Sequence, residues 1–316
     1  MKNLVKTGTL SIVAIFAVIL VTGLMSIHSC SNEPDIPAPL DIPEEFNEVG
    51  KLHNEGLEFI FERIKEQAIE SVNNPSVKRL SAEGNDINEF IKQATLDFCK
   101  QNKKTQKNID VCEQTLDNYC TPNRRIKSLS EEISPALQGL LNKIHAVLGE
   151  EFEKGDFSKL KMQLDAINQK AAKTLSEIDA MAVYCATSTA YHSYQYWMEN
   201  NRKWYFALHF PEILEQYNND ELNQLQVKQG KIVKMGWWAD LWNSVEDWWG
   251  SVTTAVSDWW NSGGEEIVVA DVMGAWEGAV AMAPFGPEAL IAGAISMGVI
   301  YSAEEGFNQC PSCFPF

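Results

Sequence analysis

From residue 44 to about 230, apolar residues recur every three or four positions, and no useful stretch alternates with the period of two that a strand needs. Glu44 to Ser71 carries Phe46, Leu52, Leu57, Ile60, Phe61 and Ile64 at helical spacing, and Asn73-Asn74-Pro75 ends the pattern. Asp86 to Lys103 repeats it with Ile87, Phe90, Ile91, Ala94 and Phe98. A short helix is predicted over Asp110 to Cys120. Another opens near Ser130 and runs toward Leu148, with Pro135 limiting how early it becomes regular. Phe157 to about Asn200 keeps the stripe through Leu160, Leu164, Ile167, Ala171, Leu175, Ile178 and Val183, as one long helix or two. A bundle of five to seven helices follows for this region, an all-α fold.

The pattern changes after Lys234, the last basic residue. The 82 residues beyond it hold eleven Asp and Glu, no Lys or Arg, and eight of the ten tryptophans. Trp237-Trp238, Trp248-Trp249 and Trp259-Trp260 recur every eleven residues, which is three helical turns. Trp238, Trp242, Val245, Trp249, Val252, Val256 and Trp259 then form one apolar stripe on an amphipathic helix. Asn261-Ser262-Gly263-Gly264 is expected to break that helix. Two apolar runs follow, Glu265 to Ala283 and Glu288 to Ala303, joined by a turn at Pro284-Phe285-Gly286-Pro287. Gly274 and Gly278 in the first, and Gly293 in the second, are small residues that let two helices approach closely. The expected organisation is therefore a bundle over 44–230, a Trp-rich helix with a small-residue helical hairpin over 235–303, and a cysteine-containing tail over 304–316.

The N-terminus reads as an address. Lys2 and Lys6 precede an apolar run from Leu10 to Met25, and Ile27-His28-Ser29-Cys30 closes it. This resembles the lipobox of bacterial lipoproteins. The resemblance implies a signal peptide over 1–29, cleavage before Cys30 and diacylglycerol on its sulfur. The acidic polar residues that follow are similar to the tether of surface-exported lipoproteins of Bacteroidota. Pro34, Pro37, Pro39 and Pro43 make 30–43 a stiff, extended spacer. The location implied is the cell envelope, lipid-anchored, at the outer membrane. Six further cysteines remain for disulfides in an oxidising compartment: Cys99, Cys112, Cys120, Cys185, Cys310 and Cys313. A bridge from Cys99 to Cys112 or to Cys120 would staple a helix hairpin, and Cys310 and Cys313 would make a structural tie, either local or back to Cys185.

Composition excludes more than it selects. The net charge of -17 over 316 residues leaves no basic stripe for nucleic acid. His53, His145, His192 and His209 fit no metal-ligand spacing and are expected to pack or to face solvent. The aromatic stretch from Tyr184 to Phe206 would suit a glycan or peptide groove, but core and rim packing is the stronger expectation. No motif points to catalysis, a metal or a cofactor, so the chain is not expected to be an enzyme. Its expected role is binding or structural, with an envelope protein or a glycan as partner and the membrane as anchor.

A second reading concerns the hairpin. Gly274, Ala275, Trp276, Gly278, Ala279, Gly286, Pro287 and the run from Ala289 to Gly298 resemble the glycine-rich hairpins of class II bacteriocins, which implies membrane insertion or a membrane partner. The tryptophan stripe and the small residues would then form the working face. On this reading acid favours insertion by protonating Asp271 and Glu277, whose charges are costly in lipid. Leucine at Gly278 would abolish the activity and leave the fold intact. The bland alternative is a hairpin packed inside a soluble bundle.

Overall fold

The computed structural model describes residues 38–74, 76–77, 85–103, 105–119, 134–152, 156–209 and 242–309; for residues 85–86, 111, 114–115, 118–119, 152, 209 and 242–258 it describes the backbone alone. Among them the fold is all-α. The helices are α1 (Glu44–Asn73), α2 (Asn85–Gln101), α3 (Ile109–Tyr119), α4 (Pro135–Phe152), α5 (Phe157–Thr174), α6 (Glu177–His209), α7 (Trp242–Met282) and α8 (Pro287–Asn308).

Local chemistry sets most of the helix ends. Pro43 caps α1, with Glu44 and Glu45 in the first turn to meet the positive end of the helix dipole. Pro135 is the first residue of α4, and the Ser134 hydroxyl accepts from Leu137 N at 3.2 Å. The long pattern after Phe157 resolves as two helices. Asp156 caps α5 by accepting from Lys159 N at 3.0 Å, and Ser176 caps α6 by accepting from Asp179 N at 3.2 Å. Gly286, at φ +99°, makes the turn before Pro287 opens α8.

Two expectations need correction. The Trp-rich helix and the first apolar run are one helix of 41 residues, running straight through Gly263 and Gly264. Gly263 serves packing rather than termination: a Cβ there would lie 2.6 Å from Gln309 Oε1 and 2.9 Å from Gln309 Cβ. The spacer also ends earlier than Pro43. Leu40 is buried, its N–H donates to Asn47 Oδ1 at 3.2 Å, and its carbonyl accepts from Asn47 Nδ2 at 3.0 Å. Asp41 N donates to Asp165 on α5 at 2.8 Å.

Residues Leu40–Phe316 form one compact unit. Its centre is α8, which α1, α2, α3, α6 and α7 all touch. Sixteen of the 22 residues of α8 are buried, so it is a core helix, apolar all round. α7 runs antiparallel to it: Gly278 faces Gly293, and Gly274 faces Met297 and Tyr301. A Cβ on Gly278 would meet the Gly293 carbonyl and, at 2.9 Å, Met297 Cβ. Only glycine permits that approach. The amphipathic helices α1 and α6 cover the hairpin, and α4 and α5 close the bundle beside them.

Candidate functional site

Polar residues from four helices converge at the centre of the bundle on Asp271 of α7, which is fully buried. From α6, the Ser193 hydroxyl donates to Asp271 Oδ2, and Trp197 Nε1 donates to the same oxygen at 3.2 Å. Trp197 Nε1 also lies 3.3 Å from Ser302 Oγ on α8, and that hydroxyl reaches Asp271 as well. From α1, His53 Nε2 lies 3.9 Å from Asp271 Oδ2. His53 is fixed by Nδ1, 3.1 Å from Asn54 Oδ1, while Asn54 Nδ2 donates to the His192 carbonyl at 3.0 Å.

Burial dominates the electrostatics here. It pushes the Asp271 carboxyl up to about 7, against the hydrogen bonds from Ser193, Ser302 and Trp197, which favour the carboxylate. Oδ1 has no hydrogen-bond partner among the described residues, so half of the charge goes unsolvated. Burial also lowers His53 to about 4 and His192 to about 4. At neutral pH, His53 and Asp271 are therefore a neutral imidazole beside a carboxyl near its midpoint, not an ion pair. His53, Ser193 and Asp271 are all closed to solvent, so no substrate reaches them in this conformation. What the cluster does is hold α1, α6, α7 and α8 in register and take up a proton. The sequence marked Asp271 only as costly in lipid. An acid inside an apolar run was the signal, but its partners lie too far along the chain for spacing to find them.

The aromatic stretch of α6 is core: Tyr191, Tyr194, Tyr196, Trp197, Trp204, Tyr205 and Phe206 are buried. Trp260 stacks on Trp197 at 6.3 Å, and Trp259 is buried with its ring 5.8 Å from Tyr205. The stripe's Trp238, and the side chains of Trp242 and Trp249, lie outside the described residues, as do Cys30, Cys120, Cys310 and Cys313. Gly274, Gly278 and Gly293 are brought together at the α7–α8 contact. Glu277 is half-buried and accepts from Tyr301 Oη at 2.6 Å. Leucine at Gly278 could not leave the fold intact, because its side chain would occupy the space of the Gly293 backbone.

Cys99, Cys112 and Cys185 carry free, buried thiols. Cys185 stands inside the core on α6, where burial raises its thiol pKa. Cys99, near the end of α2, and Cys112, near the start of α3, meet at Ser296 of α8. Ser296 Oγ lies 3.4 Å from Cys99 Sγ and 3.6 Å from Cys112 Sγ. On the surface, a groove of about 270 Å³ separates α4 from α7, with Leu141, Leu148, Val272 and Met273 as its floor and Gln138 and His145 on its rim.

No family model matches this chain, and neither a curated protein nor a solved structure is significantly similar to it.

Proposed function

We propose that this chain is a lipid-anchored protein of the bacterial cell envelope, at the outer membrane, with a binding or structural role. The observation that carries the reading is the position of Cys30. It closes an apolar run behind a basic start, and the compact unit opens at Leu40. Between them stand Pro34, Pro37 and Pro39 among polar residues. An extended stretch of that length reaches about 30 Å, enough to hold a body clear of lipid headgroups. A binding or structural role also agrees with the polar network, which is spent on joining four helices. The test is metabolic labelling with a palmitate analogue in a bacterium that has an outer membrane. The wild-type chain should carry label and sediment with membranes, and Cys30→Ala should lose both. Label retained on Cys30→Ala, or an unlabelled soluble wild type, overturns the reading.

A second reading, a membrane-active effector working through the α7–α8 hairpin, is favoured by one observation. Within the 27-residue segment Trp259–Phe285, the most apolar 18-residue window has a mean hydropathy of 1.3, so the segment is long and apolar enough to cross a bilayer, and 56% of that window is buried in the bundle. The surrounding helices cover it in this conformation. The chain from Ser31 onward, mixed with neutral and anionic liposomes at pH 7 and pH 5, tests it through tryptophan emission and co-sedimentation. A blue shift with binding supports insertion. An emission that is already blue and stays unchanged, with no leakage at either pH, sinks it.

A further inference from the structure

We propose that Cys99 and Cys112 are a disulfide-forming pair whose bond fastens the start of α3 to the end of α2 over the central helix. The geometry carries this. Both sulfurs sit on one hydroxyl, Ser296 Oγ, at 3.4 and 3.6 Å, which brings them together on one side of α8. The helices that bear them are joined only by the short stretch 102–108, so closing the bond demands little of the backbone. Of the two pairings the sequence left open, Cys99 with Cys112 is the one whose sulfurs share Ser296; Cys120 lies outside the described residues.

The oxidant is a disulfide donor of the thiol–disulfide exchange class. The Cys112 thiolate attacks one sulfur of the donor, forms a mixed disulfide and releases the first donor thiol. Cys99 then gives up its proton and attacks Cys112 Sγ. The second donor sulfur leaves and takes a proton. Two protein thiols are thus oxidised by two electrons, and one donor disulfide is reduced to two thiols. Before the helices dock either cysteine can be the first nucleophile, and the balance is the same with the two exchanged. Both sulfurs are buried in the folded chain, so exchange precedes the docking of α2 and α3 on α8. Once formed, the bond is shielded from reductant.

The supply of an oxidant in the cell rests on the envelope reading, whereas the pairing does not. The first test therefore uses purified full-length chain, refolded in a mixture of reduced and oxidised glutathione and alkylated without reduction. Lys100, Lys103, Lys104 and Lys107 part Cys99 from Cys112 for trypsin, and Glu113 parts Cys112 from Cys120 for a glutamate-specific protease. Each pairing thus yields its own linked mass. The expected product joins the Cys99 and Cys112 peptides, persists in Cys120→Ser and disappears with dithiothreitol. Reductant should lower the Tm of wild type by about 5–10 °C and leave that of the Cys99→Ser/Cys112→Ser double variant unmoved. A Cys99–Cys120 link, or an alkylated Cys99 after oxidative refolding, overturns the proposal. Chain isolated from cells provides the second test. Finding the same link supports the pair. A chain that pairs in glutathione yet leaves the cell reduced counts against the envelope address instead.

Discussion

Asp271 is held by three hydrogen-bond donors and still gains its proton near neutrality, because removal from water outweighs them. Its folded pKa of about 7 lies above the ordinary 3.8, so the unfolded chain ionises first as pH rises. The stability cost therefore begins near pH 4, grows until about pH 7 and is constant above, where it reaches about 4 kcal/mol. Asp271→Asn keeps an acceptor for Ser193 and Trp197 and removes the charge. It should melt above wild type at pH 8, with the difference vanishing toward pH 4; circular dichroism melts at both values check this. His53 and His192 act in the opposite sense. Their folded values of about 4 lie below 6.5, so the stability they support is present above pH 6.5 and is lost as pH falls through about 4. Two histidines at about 3 kcal/mol each outweigh one carboxyl over the shared range. Acid thus loosens this bundle through imidazoles. Protonating Asp271, expected from the sequence to cut its cost in lipid, also removes a cost of keeping the hairpin packed.

At the scale of the helix, the value of a glycine depends on what faces it. Gly278 abuts the Gly293 carbonyl, and Gly278→Leu should lose about 3 kcal/mol or more. Gly139 lies exposed in α4, and a methyl group placed there would meet nothing within 4 Å, so Gly139→Ala should gain about 0.5–1 kcal/mol. Denaturant titrations of the two variants should move in opposite directions. The same contrast explains what was legible in the chain. The presence of helices α1 to α6 could be read from periodicity, because that signal is local, but not all of their ends: the helix expected to open near Ser130 begins at Pro135, and the division of the long pattern at Ser176, which was left open, is set by its cap on Asp179. The break expected at Gly263-Gly264 does not occur, and spacing could not foresee this, since a glycine pair looks alike whether it ends a helix or admits Gln309. The small-residue contact of the hairpin was legible as a spacing. The cluster on Asp271 was not, because His53, Ser193, Trp197 and Ser302 come from three other helices and share no local pattern.

At the scale of the molecule, the hairpin is not an appendage to a bundle that ends near residue 230. It supplies the bundle's centre: α8 touches α1, α2, α3, α6 and α7. A chain cut after Lys234 would keep amphipathic helices with nothing to cover their apolar faces. It should stay helical by far-ultraviolet circular dichroism yet melt without a cooperative transition; a sharp transition would show that the first six helices form their own core. The central place of α8 also governs the order of events during synthesis. Gly56 of α1 packs against Val299, a residue made much later in the chain. At roughly 5–20 residues per second, the two leave the ribosome on the order of ten to fifty seconds apart. The earliest helices therefore spend that interval with their sticky faces bare, and the bundle can close only once α8 has emerged. Until then the chain stays threadable, and its bare apolar faces are open to wrong partners.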